Sequence, residues 1–203
     1  MERLDAEGLP PTFVMRGGAP GPARLVFLHG MCGHGLGYAQ AFQFSAAKKG
    51  RLIAPQGDRV CVGELSKWSM DTPALDARIV ATFRALGDTQ PDGETTVLGM
   101  SQGASRAVAL AKAYPRRYTR LISMDAPTAL RVGELRGLRG AVLMAGELDR
   151  KDLMRESQRA LAASGVPATF MLLPQAAHGA LGPTPEATMG AALDWLWAHT
   201  KPL

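Results

Sequence analysis

An alternation of two periodicities is what most constrains this chain. Six short runs of apolar and β-branched residues, at 25–28, 52–54, 95–98, 121–124, 141–145 and 169–173, are each bounded by turn residues. Runs that are apolar on both faces read as strands buried in a parallel sheet. Residues 13–15 offer an earlier edge strand. Between the runs the spacing becomes helical: Leu75, Ile79, Phe83 and Leu86 follow Thr72 and Pro73, which suit a cap and a first helical position. Residues 102–114 form an Ala-rich helix ending at Pro115, residues 152–164 a helix closed by Gly165, and Met189, Leu193 and Leu196 the apolar face of a last helix. Residues 36–49 carry a weaker helical pattern. Strands alternating with helices predict an α/β fold, a mostly parallel sheet of six or seven strands joined by right-handed crossovers. Chemistry in such a sheet is expected in the loops after the strands' carboxyl ends.

At 203 residues the chain suits a single domain, 1–203, with residues 1–23 the least defined part. A hydrophobic content of 46% against 20% charged excludes a disordered segment. No apolar stretch approaches the roughly 20 residues of a membrane helix, so no integral membrane segment is expected. The acidic start, MERLDAEGLPP, resembles neither a secretory signal nor a transit peptide, which predicts a cytoplasmic location. The net charge of +5 includes two basic clusters, around Arg106–Arg120 and Arg150–Arg159. Without aromatic residues to stack on bases, these read as solvated surface, and no nucleic-acid partner is expected. Cys32 and Cys61 make neither a disulfide framework nor a metal site, so both are expected as free thiols.

The run at 95–98 leads directly into Gly99-Met100-Ser101-Gln102-Gly103 and then into a helix. In this context G-x-S-x-G is a sharp turn: the glycines let strand and helix approach closely, and Ser101 is presented at the sheet's edge. The Gln102 backbone N–H, at the helix start, points where an oxyanion forms. A nucleophilic serine needs a base and the base an orienting acid. His178, in the loop after the last strand, is the best-placed base. His199 lies in a helix tail, His29 ends the first clear strand and His34 sits in the loop beyond it. Asp149 follows the 141–145 strand and is the preferred acid, in the chain order Ser101, Asp149, His178. Asp125, after the 121–124 strand, stays open as the alternative.

Four glycines follow His29, at positions 30, 33, 35 and 37. A dinucleotide fingerprint would need Gly where Tyr38 or Gln40 stands, and a Walker loop would need Lys where Leu36 stands. An oxyanion loop is left, with the Met31 N–H as second donor.

These motifs resemble those of the α/β-hydrolase-fold serine esterases, from Leu25 to the C-terminus. Gly-Met-Ser101-Gln-Gly, the Ala54-Pro55-Gln56-Gly57 turn and the missing lid are similar to the small carboxylesterase, phospholipase and acyl-protein thioesterase branch, related to the dienelactone hydrolases. Dienelactone hydrolases proper use a cysteine where Ser101 stands. The spacing of Trp68-Ser69-Met70-Asp71 departs from the Trp and Asp of many members. The resemblance implies a monomeric or dimeric enzyme without cofactor or metal, and an open acyl groove. Only 16 residues, 125–140, lie where such hydrolases commonly insert a cap, so no cap domain is expected. Met31, Trp68, Met70, Met100 and Leu181 are candidates for lining the groove. The expected activity is cleavage of a small-molecule carboxylic ester or thioester through a Ser101 acyl-enzyme. Acyl transfer to another acceptor, perhydrolysis, peptide cleavage and a catalytically silent binding protein remain open alternatives.

Overall fold

The computed structural model describes residues 1–15, 23–90 and 93–200. A hairpin, β1 (Glu2–Ala6) and β2 (Leu9–Met15), precedes β3 (Ala23–Leu28). Two short helices, α1 (Gly35–Gln40) and α2 (Gln43–Ala47), lead to β4 (Gly50–Pro55) and a second hairpin, β5 (Arg59–Val62) and β6 (Leu65–Lys67). After α3 (Thr72–Ala85) come β7 (Thr95–Met100), α4 (Gln102–Ala113) and β8 (Tyr118–Met124). The chain continues through β9 (Gly140–Gly146), α5 (Asp152–Ala163), β10 (Ala168–Leu173) and α6 (Pro185–His199).

The main sheet has eight strands in the order β1-β2-β4-β3-β7-β8-β9-β10. All neighbours from β4 to β10 run parallel, while β1 and β2 are antiparallel additions at one edge. The six apolar runs supply β3, β4 and β7 to β10 as expected, and the strand at 13–15 extends back to Leu9. The extra strand β1 reads ERLDA and is almost wholly exposed, so it carries no apolar run to mark it. The helical pattern at 36–49 breaks into α1 and α2 around Phe42, which leaves helical geometry at φ −135° and is fully buried against Phe27. The cap of α3 is Asp71, which accepts from the Ala74 N–H at 2.9 Å, one residue ahead of the expected Thr72.

Strand periodicity sorts the core into two layers. Val26, Leu28, Val97, Leu121 and Leu143 pack with Ile79, Phe83, Leu110 and Leu161 of α3, α4 and α5. Their neighbours Leu25, Phe27, Leu98, Ile122 and Val142 pack with Phe42, Met189, Leu193 and Leu196 on the opposite face. Each such side chain contributes about 1.5–3 kcal/mol of burial, which is why both faces of the central strands are apolar.

Strand order reverses between β3 and β7, because the chain leaves β3 toward β4 on one side and returns to β7 on the other. That switch point is where an open α/β sheet forms a crevice at its carboxyl edge. Residues 125–139 hold a single 3₁₀ turn, Val132–Glu134, and no cap. Among the described residues, no helix is long and apolar enough to cross a membrane.

Two expectations change. Cys32 and Cys61 are joined in a disulfide rather than free: β5 folds its hairpin back over the loop after β3, bringing together two cysteines 29 residues apart. Two cations of the first basic cluster are instead paired within the fold: Arg117 bonds Asp76 and Arg120 bonds Glu94 at 3.2 Å, whereas Lys112 bonds Glu134 at the solvated surface as expected.

Candidate active site

The turn after β7 is tight for a steric reason. A Cβ on Gly103 would lie 2.0 Å from the Leu28 carbonyl oxygen, and one on Gly99 would lie 2.4 Å from that of Gly103. Only glycines let α4 cross β3 and β7 this closely. Ser101, between them, sits at φ 52° and ψ −114°, in the positive-φ region that non-glycine residues rarely occupy. Its backbone N–H donates to the Met124 carbonyl at 2.8 Å, which ties the turn to the end of β8.

Three of the residues singled out in the sequence meet here. The Ser101 hydroxyl lies 2.9 Å from His178 Nε2, and His178 Nδ1 lies 2.7 Å from Asp149 Oδ2. With the ring proton on Nδ1, His178 donates to Asp149 and leaves Nε2 free to accept from Ser101. Asp149 stands in a turn closed by its own N–H to the Gly146 carbonyl at 3.0 Å. Burial opposes its ionisation, but the bonds from His178 and the Arg150 backbone outweigh this and hold its carboxyl below the usual range.

Asp125, the other acid candidate, is placed differently. It is 3% exposed at φ 47°, and its two carboxylate oxygens accept the N–H groups of Gly146 at 2.9 Å and Gly179 at 3.1 Å. It therefore joins the turn bearing Asp149 to the loop bearing His178. Burial raises its carboxyl above the usual value, against the lowering effect of those two bonds. Asp125, Asp149 and His178 offer atoms within 4.8 Å of one another, the spacing of a metal-binding set. In the structure His178 Nδ1 and Asp149 Oδ2 bond each other, and both Asp125 oxygens accept backbone N–H groups. The Tyr38 hydroxyl adds a further tie by donating to the Gly179 carbonyl at 2.6 Å.

The loop after β3 is built around His29, which sequence reasoning left without a role. His29 is fully buried, its Nδ1–H donates to the Gly30 carbonyl at 2.7 Å, and its Nε2 accepts the Gly57 N–H at 2.9 Å. Burial pushes its pKa down to about 4, so the ring is neutral at physiological pH. Gly30 lies against the Ser101 turn, where a Cβ would be 3.5 Å from that of Ser101. The Gly30 carbonyl is held on the side of His29 and the Gly33 N–H, so the trans peptide points the Met31 N–H the other way. Gln102 opens α4, where backbone N–H groups have no intrahelical acceptor. Gln56 supports the loop from below: its amide oxygen accepts from Gly35 N–H, and its NH₂ donates to Gly33 O and Ser66 Oγ.

A broad cleft of about 500 Å³ opens between this loop and the His178 loop, walled by Cys32, His34, Tyr38, Leu65, Gly179 and Leu181 among others. Leu181, expected to line an acyl groove, is one of these walls. Trp68 and Met70 are not among those walls. Trp68 is 4% exposed, its indole N–H donates to the His29 carbonyl at 2.8 Å, and its backbone is clasped by the Gln102 side chain. It is a prop beneath the loop. Met70 and Met31 stand out into solvent and Met100 is fully buried.

No family model and no curated protein matches the sequence. Solved structures do match over nearly the whole chain. Esterase PE8 superposes with a TM-score of 0.73 at 18% identity, covering 93% of this chain and 99% of its own. FphF, a fluorophosphonate-binding serine hydrolase of Staphylococcus aureus, gives 0.70 at 12% identity and 96% of each chain. Acyl-protein thioesterase 2 of Zea mays gives 0.61 at 18% identity, covering 94% and 99%. Shared topology at such low identity speaks for architecture, and the chain has the α/β-hydrolase fold.

Proposed function

We propose that the protein is a serine hydrolase that cleaves carboxylic esters or thioesters through an acyl-enzyme on Ser101. The observation that carries this reading is the unbroken hydrogen-bonded chain from Ser101 Oγ to His178 Nε2 at 2.9 Å and from His178 Nδ1 to Asp149 at 2.7 Å. It stands at the switch point of the sheet, on a serine held at positive φ. Joined in this order, the three residues supply a nucleophile, a base within reach of its proton and a carboxylate that orients the base.

In this reading His178 removes the Ser101 proton as Oγ attacks the acyl carbon. It then protonates the leaving alkoxide or thiolate and activates water for deacylation. Asp149 keeps the ring proton on Nδ1 and stabilises the imidazolium as it forms. The Met31 and Gln102 N–H groups receive the oxyanion. Asp125 binds neither substrate nor the imidazole; it positions the two loops. The cleft beside Leu181 and Tyr38 takes the acyl or alcohol part, and the short 125–139 connection leaves it uncovered, which favours accessible esters over fully enclosed small molecules. Esterase and thioesterase neighbours of the same fold agree with this class of reaction. A panel of p-nitrophenyl esters and acyl thioesters of graded chain length tests it. Turnover is expected for short to medium acyl chains and is expected to vanish in Ser101→Ala; equal turnover by that variant would refute the reading.

A further inference from the structure

The disulfide lies where a crosslink has most leverage on the oxyanion loop. Gly33 N–H closes a turn onto Gly30 O at 3.1 Å, which makes Gly30, Met31, Cys32 and Gly33 its four residues. Cys32 occupies the third position at φ 51°. A positive φ there is the mark of a type II turn and is normally the place of Gly or Asn. Nothing in a cysteine side chain favours that conformation, and two ties hold it. The Cys32 sulfur is bonded to Cys61 on β5, and the next residue, Gly33, bridges to Ser66 on β6 through N–H···O bonds of 3.1 Å in each direction. One hairpin therefore grips two successive residues of the loop. A turn with the same ends but Cys32 at negative φ is the type I form. It is reached by rotating the Met31–Cys32 peptide, which exchanges the faces shown by the Met31 carbonyl and the Cys32 N–H. That peptide adjoins the Met31 N–H, one residue beyond Gly30, which packs against Ser101.

We infer that the Cys32–Cys61 disulfide is a positioning element of the oxyanion loop, so that its reduction by a dithiol slows acyl transfer while the Ser101–His178–Asp149 chain stays in place; this rests on reading Ser101 as the nucleophile. Cys32 is exposed and Cys61 half-buried, so the bond is open to exchange. One thiolate of the dithiol attacks the Cys32 sulfur and expels Cys61 as thiolate, which takes up a proton. The second thiol then displaces Cys32 from the mixed disulfide. The products are two protein thiols and one cyclic disulfide, the reductant having supplied two electrons and two protons. Disulfides persist in oxidising surroundings and are rare in the cytosol. In the cytoplasm the loop would stand in its reduced, slower form.

The test compares kcat and KM for p-nitrophenyl butyrate before and after dithiothreitol, with thiols counted by mass after alkylation, in the wild type and in Cys32→Ser/Cys61→Ser. The expected result is a fall in kcat of about ten-fold or more on reduction, short of the roughly 10²–10³-fold loss of an oxyanion donor outright. KM should stay within about three-fold, because the rotated peptide acts on the oxyanion, which forms only in the transition state, while the Tyr38, Gly179 and Leu181 walls of the cleft stay in place. Reoxidation should restore the wild type, and the double variant should match the reduced enzyme and ignore dithiol. An unchanged kcat with both thiols alkylated overturns the inference, as does finding two free thiols in the fully active protein. If the oxidised protein turns over no ester and takes no fluorophosphonate, the proposed function fails. The inference is then read by amide hydrogen exchange over residues 31–33: faster exchange on reduction supports it, and unchanged exchange overturns it.

Discussion

Replacing Asp149 and Asp125 one at a time by Asn separates orientation of the base from support of its loop. The Asp149 side chain is 20% exposed and has one side-chain partner, His178, at 2.7 Å. Asn at 149 keeps the shape but loses the charge, and it can present NH₂ to Nδ1 and impose the wrong tautomer. The expected cost is about 10³–10⁴-fold in kcat, with stability changed by less than about 1 kcal/mol, because this partly buried side chain loses a single hydrogen bond that Asn can remake. Asn at 125 does the reverse. It has one oxygen for two N–H donors, so either Gly146 or Gly179 N–H faces an NH₂ group. Each hydrogen bond to a charged group is worth about 1.5–3 kcal/mol, partly offset because a buried charge is also removed. A net loss of about 2 kcal/mol follows, or roughly 4–8 °C in Tm for a domain of this size. Its kcat should fall far less than in Asp149→Asn, since His178 keeps its acid. Thermal denaturation and ester turnover on the same preparations supply both readouts. If Asp125→Asn loses activity a thousand-fold at unchanged Tm while Asp149→Asn stays active, the assignment of the acid is wrong.

The neutral, buried His29 makes stability depend on pH. Because burial lowers its pKa from 6.5 to about 4, the unfolded chain binds its proton first as pH falls. Stability is therefore lost between about pH 6.5 and 4, by an amount on the order of 3 kcal/mol. Urea titrations across that window check the slope, which should flatten in His29→Gln; a slope equal in both proteins would contradict the account. Gly103→Ala, which drives a Cβ to 2.0 Å from the Leu28 carbonyl, should cost about 3 kcal/mol or prevent folding. Gly37→Ala, with nothing within 4 Å of its Cβ, should change stability by less than about 1 kcal/mol; similar effects of the two would refute the close-approach argument.

How much of this was legible in the sequence depended on whether the information was local. The two-faced apolar runs at 25–28, 95–98 and 141–145 mark their strands because burial on both sides leaves no polar alternation, and Ser101 is visible because its turn needs glycines at fixed offsets. The β5–β6 hairpin is not legible. RVCV and LSK are short and largely exposed, and the hairpin is held by tertiary links, the Gly33–Ser66 bridge and Gln56, rather than by its own pattern. The disulfide was missed for the same reason: two cysteines 29 residues apart have no spacing rule until the hairpin folds back. Asp125 could be named as a carboxylate near the site, but its choice of Gly146 and Gly179 N–H over the imidazole depends on two loops that meet only in the folded chain. Trp68 looked like groove lining because an aromatic near a site often is, whereas its indole N–H is used beneath the loop on the His29 carbonyl.

Covalent capture at Ser101 tests the central claim most directly. Intact-mass and peptide analysis after exposure to a fluorophosphonate should find one adduct, on Ser101, formed in step with loss of ester turnover and absent from Ser101→Ala. An adduct on another residue, or ester turnover that persists in Ser101→Ala, would contradict the assignment of Ser101 as the nucleophile.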